Sequence, residues 1–116
     1  MSSELQQCLR GHLEALARQG KTISYRQLAV LAEIPEPRVI GRLASLLEAI
    51  IREDHAVGIA ASVASLVVSQ TKPAIPRAGY FMLLRELGVY NGSDEGAAAE
   101  IFHAACVEQL FGTFKR

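Results

Sequence analysis

The residues best suited to chemistry in this chain are basic and recur at helical spacing. Arg38, Arg42 and Ser45 follow one another at intervals of four and three residues, so a helix places them on one face. That face continues to Arg52 and contains no carboxylate, although Glu48 borders it. A guanidinium group is a planar cation that matches phosphate oxygens. The pattern therefore has two interpretations, contact with a polyanion or an ordinary solvated helix face.

Histidines and carboxylates are not arranged for metal binding or acid–base catalysis. His12, His55 and His103 lie in three separate segments and do not have ligand spacing. The acidic residues have the positions of helix caps and helix surface rather than of a paired acid and base. The chain also lacks a glycine-rich phosphate loop and a nucleophile elbow. We therefore expect no enzymatic activity, no metal and no cofactor.

Three predicted helices position the basic face. Residues 2–19 carry leucines at helical spacing and are followed by Gly20, a typical helix end. A second helix begins at Ser24, which forms a capping box with Gln27, and ends near two prolines. A third helix over residues 37–53 has an apolar sector opposite its arginines.

The segment after these helices indicates a wing. We expect a loop over residues 54–62 and a strand over residues 63–69, which is rich in β-branched residues. Lys72 and Arg77 lie in the turn-rich stretch that follows, where they either contact phosphates or keep the loop solvated. A second, edge strand is expected around residues 74–75, because the flanking prolines limit pairing.

The C-terminal part of the chain is predicted to be helical. A short helix covers residues 80–87, and Ser93 caps a last helix that ends near Gly112. The last helix is apolar over a wide surface that includes Ile101 and Leu110. This surface is either part of the core or the seam of a dimer, depending on whether these residues are buried in one chain or between two.

These elements predict one mainly α domain with a small β wing over residues 1–116. The expected architecture is a winged helix-turn-helix at residues 22–79, flanked by N- and C-terminal helices.

The second and third helices resemble a known DNA-binding unit. The stretch SYRQLAVLA from Ser24, followed by Pro35 and by Arg38-Val39-Ile40-Gly41, resembles the helix-turn-helix of O6-alkylguanine-DNA alkyltransferases and alkyltransferase-like proteins. The resemblance implies that Tyr25 helps to rotate a nucleotide out of the duplex and that Arg38 fills the gap. Tyr25 alternatively serves as a half-buried packing residue.

The resemblance does not extend to the reactive site. That family has a P-C-H-R-V-V motif, whose counterpart here is VASLVV at residues 63–68. Ala64 stands at the cysteine, Ser65 at the histidine and Leu66 at the arginine. Because alkyl transfer needs a thiolate and its activating histidine, we expect none here.

Composition limits the partners and the compartment. The chain has 12 Lys and Arg against 12 Asp and Glu, which excludes a uniformly basic protein that coats nucleic acid. The segment from Lys21 to Arg77 contains seven basic and five acidic residues, which is only a small basic excess. DNA binding should therefore be modest and salt-sensitive, or depend on a dimer or partner. With no membrane-length apolar run, no secretory signal and only Cys8 and Cys106, we expect a cytoplasmic protein.

We therefore expect a non-catalytic, DNA-binding winged-helix protein of a bacterial regulatory or accessory kind, with double-stranded DNA as partner. The predicted groove contacts are Arg38, Arg42 and Ser45, and the predicted backbone contacts are Tyr25, Arg26, Lys72 and Arg77. The alternative is a winged-helix module for protein–protein interaction or dimerisation, with a homodimer formed through the C-terminal helix.

Overall fold

The computed structural model describes residues 3–115, most of which are helical. The elements in chain order are α1 (Glu4–Gln19), β1 (Ile23–Ser24), α2 (Tyr25–Leu31), α3 (Val39–Ala56), a 3₁₀ helix (Val63–Leu66), β2 (Val67–Val68), α4 (Ala78–Glu86) and α5 (Ala97–Phe114). This confirms the mainly helical fold with a small sheet. No helix in the described part of the chain is long and apolar enough to cross a membrane.

Capping interactions confirm the predicted end of α1 and start of α2, whereas α2 ends at Leu31, before the predicted end near Glu33. The predicted start of α1 at residue 2 lies outside the described residues, and α1 begins at Glu4. The Ser3 hydroxyl accepts a hydrogen bond from the N–H of Gln6 at 3.0 Å, and Gly20 ends α1 in the left-handed conformation. At the start of α2, Ser24 and Gln27 form both bonds of the capping box, at 3.1 and 3.3 Å. Local side-chain chemistry thus fixes where α2 begins.

The 3₁₀ helix lies at the centre of the core. All four of its residues are buried, and it contacts α1, α3 and α5. The largest fully buried apolar side chains come from the 3₁₀ helix and from α1, α2, α3, β2 and α4; they are Leu9, Leu13, Leu28, Leu43, Ile50, Leu66, Val67 and Phe81. The 3₁₀ helix thus packs against the three longest helices, α1, α3 and α5, and the hydrogen bond between Ser65 and Tyr80 joins it to α4.

The predicted strand over residues 63–69 is wrong in its first half. The Ser62 hydroxyl accepts from the N–H of Ala64 at 3.2 Å, which starts the 3₁₀ helix, and only Val67 and Val68 are extended. These two residues pair in parallel with Ile23 and Ser24 of β1. A short apolar run buried on every side has no polar alternation, so periodicity could not separate the two conformations.

The predicted wing is not confirmed. In residues 3–115 the sheet has two strands, β1 and β2, and they are parallel. The expected second strand at residues 74–75 does not form, although the N–H of Ser69 donates to the carbonyl of Ile75 at 2.9 Å. Pro73 and Pro76 lack the donors that a longer ladder needs. Residues 69–77 therefore form a closed loop, named here the basic loop.

Helix α3 starts and ends later than predicted. The turn from α2 spans residues 32–38 and contains two residues at positive φ, Glu33 and Arg38. At the other end, the predicted loop residue Asp54 lies within the helix and is buried. Arg10 of α1 forms an ion pair with this carboxylate at 2.8 Å. An ion pair between distant segments is not visible in local sequence, which explains the error.

The last two helices also differ from prediction. Helix α4 begins at Ala78 rather than at residue 80, and α5 extends to Phe114, past Gly112. The predicted cap Ser93 is wrong, because Gly96 is the N-cap and the Ser93 hydroxyl accepts from the N–H of Glu95. The apolar surface of α5 is divided: Leu110 is 3% exposed within one chain, whereas Ile101 is 70% exposed.

Candidate nucleic-acid interface

The first turns of α3 present the two arginines that the sequence predicted to face a groove. Arg38 is the N-cap residue of α3, and both Arg38 and Arg42 are exposed. The Nε–H of Arg42 donates to the carbonyl oxygen of Pro37 at 2.8 Å, which holds that side chain near the start of the helix. Ser45 is also exposed, one turn further along. The three residues lie on solvent-facing helix surface, as predicted.

Arg38 has a backbone conformation that is costly for its residue type. Its φ is 58° and its ψ is 46°, in the left-handed region where a side chain crowds the following carbonyl. A non-glycine residue there costs about 1–2 kcal/mol. Strain of this kind is frequent at functional positions. Arg38 combines this strained backbone with an exposed side chain.

The predicted basic contacts differ in their ion pairing from three other arginines, whereas Arg18 likewise has no ion pair among residues 3–115 and lies over the Phe114 ring. Arg10 pairs with Glu53 and Asp54, Arg52 with Glu86, and Arg85 with Asp94. Within residues 3–115 no ion pair involves the predicted contacts, which are Arg26, Arg38, Arg42, Lys72 and Arg77, and all five are exposed. The predicted arginine face is therefore shorter than expected, because its last member, Arg52, has a carboxylate partner at 2.8 Å.

Tyr25 and Arg77 form a contact between α2 and the end of the basic loop. The backbone N–H of Arg77 donates to the Tyr25 hydroxyl at 2.9 Å. The guanidinium carbon of Arg77 also lies 5.8 Å from the centroid of the Tyr25 ring. Tyr25 is half-buried, and this burial raises the pKa of its hydroxyl. The side chain for which the resemblance implies nucleotide rotation is thus engaged within the protein.

A cavity of about 310 Å³ opens between α3 and the start of α4, and we name it the α3–α4 cavity. Its walls are mostly apolar, with two tyrosines, one carboxylate and one arginine. They comprise Tyr25, Gly41, Ala44, Leu47, Glu48, Ile51, Ala64, Arg77, Ala78, Gly79 and Tyr80. Gly79 and Tyr80 are not among the site residues predicted from the sequence. The small residues Gly41 and Ala44 on α3 are the sequence signal for this open space.

The wall of this cavity provides no nucleophile at the position that the resemblance marks. Ala64 lines the cavity where the alkyltransferase motif has its cysteine. Cys8 is exposed on α1, and Cys106 is half-buried on α5. Burial raises the pKa of the Cys106 thiol, which keeps it protonated.

Next to Ala64 in the chain, Ser65 belongs to a buried group of three hydrogen-bonded residues, Ser65, Tyr80 and His103. The hydroxyls of Ser65 and Tyr80 share a hydrogen bond at 2.6 Å. The Nε2 atom of His103 lies 2.7 Å from the carbonyl oxygen of Ser65, and because a carbonyl only accepts, Nε2 carries the proton. Burial lowers the pKa of His103 and raises that of Tyr80. These bonds join the 3₁₀ helix to α4 and α5, so the group has a structural role.

A second groove, between α2 and α3, has a different character. Its volume is about 340 Å³, and its lining includes Arg26, Val30, Glu33 and Glu36. Two carboxylates on one groove disfavour close approach of a phosphate backbone. Arg26, one of the predicted contacts, therefore has acidic neighbours in this groove, whereas Arg38 and Arg42 do not line it.

The described residues offer no metal centre. Within residues 3–115 no three His, Cys, Asp or Glu side chains gather closely enough to hold a metal ion. Comparisons with family models, with curated proteins and with solved structures find no match to this chain.

Proposed function

We propose that this protein binds double-stranded DNA and catalyses no reaction on it. One observation carries the proposal: in the described structure the five predicted basic contacts are exposed and have no carboxylate partner, whereas Arg10, Arg52 and Arg85 are ion-paired. An unpaired guanidinium can neutralise a phosphate without first breaking an internal ion pair.

The segments that carry the predicted basic contacts meet around the α3–α4 cavity. Tyr25 of α2, Gly41 of α3 and Arg77 at the end of the basic loop all line the α3–α4 cavity. Arg26 follows Tyr25 directly, and Arg38 and Arg42 flank Gly41. In the proposed complex α3 lies in the major groove, and the basic loop contacts the backbone as a wing would.

The number of contacts sets the expected salt dependence. The logarithm of the binding constant falls with the logarithm of salt concentration, with a slope of about −0.9 for each phosphate neutralised. Five contacts correspond to a slope of about −4 to −5. The chain has no net charge to add a long-range attraction, so affinity at physiological salt should be modest.

The test is fluorescence anisotropy of a labelled mixed-sequence duplex, titrated with protein at several salt concentrations. We expect saturable binding that weakens steeply as salt rises. Absence of binding even at low salt would contradict the proposal.

The variant Arg38→Ala/Arg42→Ala tests which surface binds. We expect its salt slope to be about two smaller in magnitude than that of the native protein, because two phosphate contacts are lost. Arg52→Ala is the matched control: it removes an arginine from the same helix, but one that is paired with Glu86. Equal affinity of the double variant and the native protein would show that α3 is not the contact.

One observation favours a second candidate, an interaction module that does not bind DNA. The outer face of α5 exposes Ile101 together with Ala98, Ala105 and Gly112. Sedimentation analysis would reveal self-association, and Ile101→Glu should abolish it if this face is the seam. A monomeric native protein that binds DNA would exclude this candidate.

A further inference from the structure

We propose that Tyr25 is a positioning residue that fastens the basic loop, and with it Arg77, beside the arginines of α3. This inference rests on the proposed DNA binding for its effect on affinity. It differs from the role implied by the resemblance, because Tyr25 acts here through Arg77 and not on a nucleotide.

The contact joins segments far apart in the chain. Tyr25 and Arg77 are separated by 52 positions, and the hydroxyl of one accepts the backbone N–H of the other at 2.9 Å. Arg77 is the N-cap residue of α4, so its own N–H lies outside the hydrogen-bond ladder of the helix. The Tyr25 hydroxyl supplies the acceptor for this donor.

Tyr25 is the fixed side of the contact. It is the first residue of α2, between the capping-box residues Ser24 and Gln27, and its ring packs against the core. The basic loop has less support of its own. The N–H of Ser69 donates to the carbonyl oxygen of Ile75, and the N–H of Ile75 donates to the carbonyl oxygen of Pro73. Both hydrogen bonds lie within the loop. Most of the loop is exposed, although Pro76 is buried.

The same contact determines where the Arg77 side chain lies. Its guanidinium carbon is 5.8 Å from the Tyr25 ring centroid, and both residues line the α3–α4 cavity opposite Gly41. Gly41 lies between Arg38 and Arg42 on α3. A loop held in this way presents Arg77 at a fixed distance from those arginines, so fewer conformations are lost when DNA binds.

Tyr25→Phe removes the hydroxyl and keeps the packed ring, so it isolates the proposed contact. We expect the affinity for a mixed-sequence duplex to fall several-fold, with the unfolding temperature nearly unchanged. Arg77→Ala should lower the affinity to a similar extent. In the Tyr25→Phe background, Arg77→Ala should then have a smaller further effect, because the hydrogen bond that fastens the loop at Arg77 is already absent.

A second double-mutant cycle, with Arg38 in place of Arg77, is the control. Tyr25→Phe combined with Arg38→Ala should show additive losses, because Arg38 is positioned by α3. Additive losses for Tyr25→Phe and Arg77→Ala, or unchanged affinity of Tyr25→Phe, would overturn the proposal.

A measurement without DNA separates this inference from the proposed function. Backbone amide ¹⁵N relaxation should show larger fast motion at residues 74–77 in Tyr25→Phe than in the native protein, with α1 and α5 unchanged. Equal relaxation of the loop in both proteins would contradict the positioning role, even if DNA binds. If Tyr25→Phe increases the motion of the loop but the native protein binds no DNA, the positioning role of Tyr25 is supported and the proposed function is excluded.

Discussion

At the scale of single residues, Arg38 combines a free cation with a strained backbone. These two properties can be separated by substitution. Arg38→Gly and Arg38→Ala both remove the guanidinium, but only glycine tolerates a φ of 58° without crowding. We expect Arg38→Gly to be more stable than Arg38→Ala by about 1 kcal/mol in urea unfolding, because alanine keeps the strained Cβ.

Both Arg38 variants should weaken DNA binding to the same extent, since both lose the same charge. Equal stability of the two variants would show that the left-handed conformation of Arg38 is not strained.

Ala64 leads to a chemical prediction at the same scale. A duplex that contains O6-alkylguanine should keep its alkyl group after incubation with the protein, because the cavity wall has a methyl group where a nucleophile is required. Mass spectrometry of the intact protein checks this. A mass increase equal to the alkyl group would contradict the account, and peptide mapping would then identify Cys8 or Cys106 as the acceptor.

Exposure of the predicted contacts could be inferred from helical spacing, but their ion pairing could not. Arg38, Arg42 and Arg52 share one sector of α3 in the sequence. Only the fold brings Glu86 of α4 to Arg52, while leaving the first two arginines without a carboxylate partner in the described chain. The hydrogen bond between Tyr25 and Arg77 is equally non-local, so a pattern within one helix could not reveal it.

At the scale of elements, local signals predicted one helix start and one helix end correctly. The capping box at Ser24 and the left-handed Gly20 were read correctly, because each depends on neighbouring residues alone. The end of α3 was placed too early, because Asp54 is retained in the helix by Arg10 of α1. The 3₁₀ helix was read as a strand, since a fully buried run has no periodic signal.

The Arg10–Asp54 pair can be tested through stability. Asp54→Ala should reduce the free energy of unfolding by about 2 kcal/mol, because it leaves a partly buried guanidinium with one partner fewer. Glu53→Ala is the control; its carboxylate contacts the same arginine but is 40% exposed, so we expect a loss below about 1 kcal/mol. Urea unfolding of the two variants measures both values. Equal losses would show that burial of Asp54 does not strengthen the pair.

At the scale of the whole molecule, His103 couples the stability of the fold to pH. Its Nε2–H donates to the carbonyl of Ser65, which joins α5 to the central 3₁₀ helix. Burial lowers the pKa of His103 in the folded state, whereas the unfolded chain has a value of about 6.5. Below that pH the unfolded state binds a proton that the folded state does not, so stability falls as pH decreases.

His103→Gln keeps an N–H donor near the position of Nε2 but does not titrate. We expect the native protein to lose more stability than this variant between pH 7 and pH 5.5, as measured by urea unfolding at both values. The same loss in both proteins would assign the pH dependence to other groups.

The central claim is that α2, α3 and the basic loop form one DNA-binding surface. The most direct test is to follow backbone amide signals by NMR while a mixed-sequence duplex is added at low salt. We expect shifts at residues 25–26, 38–45 and 70–78, and none on the outer face of α5 around Ile101. Shifts confined to α5, or no shifts at all, would contradict the central claim.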